Sequence, residues 1–141
     1  MSRSVVVNSG QSRYVQNISV GFHLLQADEP NDAGGNDVGP NPYELLLAAL
    51  GACTSMTVRM YAERKQWPLR TVQVRLAYSR IHGEDCADCD TGEGMVDRID
   101  AEVSLSGDLS DDQRQRLMEI ANRCPVRRTL VSEIQIGTNG R

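Results

Sequence analysis

Cysteines carry most of the chemistry that this sequence offers, and their surroundings divide the four into three kinds. Cys124 stands in the run Arg123-Cys124-Pro125-Val126-Arg127-Arg128. There the proline opens a short helix and places the thiol at or beside its positive N-terminus, a setting that lowers a thiol pKa. Cys53 lies in the middle of an apolar stretch, where a buried thiol is ordinarily inert. Cys86 and Cys89 form a Cys-Ala-Asp-Cys pair among Glu84, Asp85, Asp88, Asp90 and Glu93. Read from local charge alone, Arg127 and Arg128 make Cys124 the more acidic thiol and a candidate for first attack on an electrophile. A lone CxxC brings two ligands where structural zinc takes four, and neither His23 nor His82 stands at finger spacing. Cys86 and Cys89 therefore read as an inert hairpin pair, a redox pair or half of a metal site completed across a dimer, with acidic neighbours opposing thiolate formation.

The element that must carry Cys53 is a helix over Asn41–Lys65. Asn41 is a good N-cap, and Pro42 fits the first turn because its missing amide would be unpaired there. From Leu45 to Ala52 the chain is almost wholly apolar, which predicts a helix packed on most sides. That run is too short for a membrane span. The helix should stop before Trp67-Pro68, since a residue ahead of proline is pushed away from helical geometry. Upstream, Ser4–Val7 and Arg13–Val20 predict a hairpin turning at Asn8–Gln11, with Val20–Ala27 as a third strand. Asp28–Gly39 reads as a loop whose Gly34-Gly35 pair permits a close backbone approach beside the coming helix. Downstream, Arg70–His82 and Met95–Leu105 alternate as strands around a Gly83–Gly94 connection. Ser110 or Asp111 should cap a helix over Asp112–Arg123 with Leu117, Ile120 and Ala121 as its buried stripe. A short helix after Cys124-Pro125 and an edge strand over Glu133–Gly137 close the chain.

Composition narrows the partners. At 141 residues the chain predicts one domain, 1–141, and its net charge of -4 gives no electrostatic reason to bind nucleic acid or an anionic membrane. One Phe, one Trp and four Tyr offer little aromatic surface for stacking bases. No secretory pattern is read in Met1–Val7, so the expected location is cytoplasmic and the expected state of the cysteines reduced. A serine hydrolase fits poorly, because no GxSxG elbow is present.

The stretch GPNPYELLLAALGACTSM at Gly39–Met56, followed by a Cys-Pro about seventy residues later, resembles the OsmC/Ohr family of thiol-dependent hydroperoxide reductases. ADEP at Ala27–Pro30, CADC at Cys86–Cys89 and CPVRRTL at Cys124–Leu130 resemble the OsmC-like branch often linked to α/β-hydrolases. The resemblance implies an α+β, OsmC-like fold in which two antiparallel sheets surround two long helices of an intertwined homodimer, with active sites at the subunit interface. It implies that Cys53 attacks the terminal oxygen of a small organic hydroperoxide and that Cys124 resolves the sulfenic acid as a disulfide. No resident cofactor or metal is implied; an external dithiol such as a lipoyl group restores the thiols by exchange. It further implies a cation near Cys53 held by an acidic residue, for which Arg13 and Glu44 are the candidates, with Tyr43, Leu46 and Leu50 lining the substrate pocket. Two departures stand out. Tyr43 occupies the position after Asn-Pro where the family carries its acid, and Arg127 stands where the branch commonly carries His. Glu44, nine residues before Cys53, falls on the opposite helix face and would act from the partner chain or through the helix start. The competing readings are a non-peroxidatic binding protein for small molecules and a partner module of a hydrolase.

Overall fold

Short alternating strands at the start of the chain form an antiparallel meander in the computed structural model: β1 (Val6–Ser9), β2 (Gln16–Val20) and β3 (His23–Ala27), in the order β1-β2-β3. Residues 3–86, 89 and 92–140 are described, so the middle of the CADC connection (Ala87, Asp88, Asp90 and Thr91) lies outside the described residues. Two units are distinguished, Met1–Leu46 and Leu47–Arg141.

In the first unit the hairpin register differs from expectation. Ser9 pairs with Gln16, and the connection between them is closed by Gly10 N–H to Val15 carbonyl (2.7 Å) and Val15 N–H to Ser12 carbonyl (3.1 Å). Arg13 therefore sits in that loop and not in a strand. The predicted third strand is shortened for a similar reason: Gly21, at φ 59°, and Phe22 make the two-residue turn joining Val20 to His23. The loop from Asp28 is organised by Asp28 itself, whose buried carboxylate accepts from the amides of Glu29 (2.8 Å), Asn36 (3.0 Å) and Val38 (3.3 Å). Burial raises its pKa, but those three amides outweigh the burial and hold it below the ordinary carboxylate value. A Cβ on Gly35 would meet the Glu29 carbonyl oxygen at 2.0 Å. The Gly-Gly pair thus serves the loop's closure on its own first turn, not an approach beside the helix.

Helix α1 (Pro42–Lys65) begins in a reciprocal capping box. The Glu44 amide donates to Asn41 Oδ1 at 2.8 Å, and the Asn41 amide donates to Glu44 Oε1 at 2.9 Å. It ends on Gln66, which adopts φ 58° so that its amide reaches the Glu63 carbonyl and the Trp67 amide reaches that of Ala62. That is a Schellman ending made without glycine. The helix buries Leu50, Thr54, Val58 and Ala62, one stripe at i+4 spacing, with Gly51 beside it. Burial on most sides was the expectation; within one chain the face bearing Ala49, Ala52, Met56 and Met60 stays exposed. By length and composition the whole of α1, unlike the Leu45–Ala52 run, is long and apolar enough to cross a membrane, a test that core helices also pass.

In the second unit β4 (Leu69–His82) and β5 (Met95–Gly107) pair antiparallel along their length. Helix α2 (Asp111–Ala121) starts at Ser110, which forms a capping box with Gln113. Helix α3 (Pro125–Leu130) starts at Cys124 with Pro125 in its first turn. The core gathers Val58 and Ala62 of α1, Leu69, Leu109, and Leu117 and Ala121 of α2, with Trp67 and Val103 packed against it. A Cβ on Gly51 would fall 2.7 Å from Leu76 Cδ1, so glycine is what lets α1 lie close on β4. The edge strand expected over Glu133–Gly137 does not form: the segment pairs with no strand of its own chain, and Ile134 and Ile136 are exposed. A strand needs a neighbouring edge for its backbone groups, and alternation alone supplies none.

Candidate active site

The N-cap of α3 and the middle of α1 meet in the second unit, and each brings a thiol. Cys124 is fully buried and Cys53 half-buried. Their side chains lie near enough to shift one another's ionisation. Pro125 is why the Cys124 end is so constructed: it starts α3 without needing an amide acceptor, leaving the amides that follow directed at the capping sulfur. The Arg127 amide donates to Cys124 Sγ at 3.4 Å.

The environment pushes the two thiols in opposite directions. Burial raises Cys53, and the neighbouring Cys124 adds to the rise, against weaker help from the Val126 amide and the Thr57 hydroxyl. Burial also raises Cys124, but its bonds with Cys53, the Arg127 amide, the Thr54 hydroxyl and the Val126 amide together outweigh it, and the thiol lies below its ordinary value. Ionisation of such a pair belongs to both members. Of the two, Cys124 is therefore the sulfur more readily held as thiolate and Cys53 the one more readily held as thiol. Sulfur in this arrangement has what a two-electron oxidation needs: an accessible thiol, an internal proton acceptor and a second sulfur within reach of the first.

Thr54, Thr57 and the Val126 amide were not picked out as chemical groups from sequence. Position was the available signal, since Thr54 follows Cys53 directly and Thr57 lies one helical turn beyond, its hydroxyl bonded to the Cys53 carbonyl at 2.7 Å. Of the expected pocket residues, Leu50 is buried and lines a cavity of about 120 Å³ with Thr54, Ile99, Met118 and Arg127. Tyr43 and Leu46 belong to the first unit, at 59% and 37% exposure. Arg13 is also in that unit, its guanidinium 4.9 Å from the Tyr14 ring centre. Glu44 gives its carboxylate to the α1 cap, and among the described residues no ion pair joins it to Arg13. Cys86 and Cys89, expected to be reduced, are joined as a disulfide. Among the described residues no cluster of metal-ligating side chains is found.

Residues 34–139 match the family model described as OsmC-like protein. The chain belongs to the OsmC-like protein family. Solved structures agree on the fold of this OsmC-like protein. An OsmC-like protein from Mycoplasma pneumoniae superposes with TM-score 0.71 at 17% identity, covering 92% of this chain and 87% of that one. An organic hydroperoxide resistance protein from Legionella pneumophila gives 0.65 at 19% identity, covering 93% and 90%. The organic hydroperoxide resistance protein OhrB of Bacillus subtilis gives 0.61 at 19%, covering 93% and 91%. No curated protein matches this OsmC-like chain. Its α+β architecture, with two antiparallel sheets, is that of the family.

Proposed function

We propose that this OsmC-like protein is a thiol peroxidase that reduces organic hydroperoxides, and hydrogen peroxide where it gains access. The observation that carries the reading is the neighbouring pair of thiols, Cys53 and Cys124, each shifting the other's ionisation. Cys53, the more accessible sulfur, attacks the terminal oxygen of the hydroperoxide while its proton passes to the Cys124 thiolate. The O–O bond breaks, an S–O bond forms, and the departing alkoxide takes a proton from solvent, leaving Cys53 as sulfenic acid. Cys124 then displaces water from that sulfur to form the Cys53–Cys124 disulfide. A dithiol, lipoyl or otherwise, reduces it by exchange. In this reading local charge and the family likeness point to different cysteines only in appearance: Cys124 serves as the proton acceptor and Cys53 meets the substrate. On the same reading Arg13 supplies the cation that the likeness implies, Glu44, its carboxylate closing the α1 cap, acts through the helix start, and Tyr43, Leu46 and Leu50 form the apolar wall.

A cytoplasmic homodimer is part of the same reading. It is supported by apolar surface left uncovered in one chain: the Ala49, Ala52 and Met56 face of α1, and in the first unit an open groove of about 650 Å³ lined by Ile18, Leu24, Leu25, Val38 and Leu45. The raised pKa of Cys53 favours a second reading, a non-peroxidatic binding protein that uses the same fold.

Single-turnover oxidation of the fully reduced protein by cumene hydroperoxide and by hydrogen peroxide, followed by mass spectrometry, separates the two. Fast oxidation by the organic peroxide is expected. Cys53→Ser should abolish it, and Cys124→Ser, which removes both the proton acceptor and the resolving thiol, should slow it and arrest the product as sulfenic acid. Arg13→Gln in the same assay reads the cation's role. Oxidation no faster than that of a free thiol would leave the binding reading in its place.

A further inference from the structure

A second concentration of chemistry lies in the same unit, where an open groove of about 680 Å³ runs beside α1 from Thr57 to Lys65. Pro125, next to Cys124, lines it, as does Thr57, whose hydroxyl is bonded within the Cys53 turn. Met60 and Ile120 make it apolar. Its remaining walls are cationic: Arg64 and Lys65 from α1, Arg116 from α2 and Arg123 from the turn before Cys124. Arg64, Lys65 and Arg116 gather around the Tyr61 ring at 5.4, 5.7 and 5.4 Å from its centre. Arg116 is locked in place, its Nε donating to the Tyr61 hydroxyl at 3.0 Å and its Nη1 pairing with Glu119 at 2.8 Å. The hydrogen bond from Arg116, with the charges of Arg116, Lys65 and Arg64, draws the Tyr61 phenol below its ordinary pKa despite burial. Among the described residues no ion pair meets Arg64, Lys65 or Arg123. In a chain of net charge -4, four cations facing one groove with a single carboxylate among them repel one another unless an anion offsets them.

We propose that this groove is a recognition site for an amphipathic carboxylate, its head held by Arg64, Lys65, Arg116 and Arg123 and its hydrocarbon body lying on Met60 and Ile120. Apolar floor and cationic rim together select that class over a neutral amphiphile and over a small inorganic anion. From Cys53 to Arg64 is eleven residues of helix, roughly 16 Å at about 1.5 Å each, a span suited to an acyl chain. The groove would therefore favour charged over neutral acyl ligands for the thiol pair. That last step rests on the peroxidase reading, while the carboxylate site does not.

The test is a calorimetric titration of the reduced full chain with octanoate and with octanamide, which share a chain and differ in charge. Octanoate should bind, octanamide about tenfold or more weakly, and the octanoate affinity should fall as salt rises. Arg64→Glu combined with Arg123→Glu should remove octanoate binding, whereas Arg70→Glu, the same charge change on β4, should leave it intact. Should the double reversal not fold, Arg64→Gln read by the same titration is expected to weaken octanoate and not octanamide. Equal binding of the two ligands, no binding by the wild type, or indifference to the groove substitutions would overturn the proposal. So would competition by inorganic phosphate as strong as that of octanoate. Octanoate carries no peroxide, so its binding is read whatever the outcome of the oxidation experiment.

Discussion

At the scale of single residues, the two central cysteines differ because of what surrounds each sulfur. Cys124 is the more buried of the two, yet it is the one favoured as thiolate, since two backbone amides, the Thr54 hydroxyl and the Cys53 thiol are all directed at it. Cys53 is more accessible but faces that thiolate, and a like charge beside it opposes its own ionisation. The sign follows for each variant. Thiolate absorbance of the reduced wild type should begin to rise at a pH below that of a free thiol, and Thr54→Val, which removes the hydroxyl beside Cys124, should move that first step upward. In Cys124→Ala the remaining Cys53 should titrate at a lower pH than it does in the wild type, because the raising influence of Cys124 is gone. A Cys53 titrating at a higher pH in that variant would reverse the proton assignment. Glu44 shows a different lesson at this scale: its carboxylate closes the helix cap, a role that the Asn-x-x-Glu spacing of Asn41 and Glu44 carries on its face.

Helix α1 shows what an element must satisfy beyond its own pattern. Its end is the costly part, because Gln66 holds a left-handed conformation that a side chain disfavours by about 1–2 kcal/mol. Gln66→Gly should therefore raise the midpoint of chemical denaturation, by up to about 1 kcal/mol once the extra freedom of glycine in the unfolded chain is allowed for. Its middle is tuned in the opposite sense. Gly51 lies so close to Leu76 that Gly51→Val should destabilise the fold by about 1–3 kcal/mol in the same measurement, the usual range for overpacking a filled core. The Glu133–Gly137 segment illustrates the converse. Its alternation suits a strand, and no edge of its own chain receives it.

At the scale of the whole molecule, the apolar surface left open is more than a finished monomer of this size needs. Phe22 is fully exposed, Leu24 is 82% exposed, and Met56 lies uncovered on the Ala49 and Ala52 face of α1. The dimer of the proposed function would cover such surface. Sedimentation should report twice the chain mass, and Met56→Glu, which sets a charge on the open face of α1, should shift the population toward the single chain while the reduced protein keeps its helix content. A wild type that sediments as one chain would remove the dimer from the reading.

The sequence by itself determined the elements whose causes are local. Pro42 and Pro125 mark two helix starts, Asn41 and Ser110 cap theirs, and the alternation of Val72, Val74 and Leu76 with polar neighbours marks β4. The motifs around Cys53 and Cys124 were enough to indicate the family, because they combine residue types with a long spacing that chance seldom reproduces. Tertiary structure alone decided what depends on contacts distant in sequence. Among these are the pairing of two thiols about seventy residues apart and the cations collected around Tyr61 from two helices. The lower acidity of Cys53 belongs here too, since burial and Cys124 across the fold set it, whereas the favoured ionisation of Cys124 was legible in the helix start beside it.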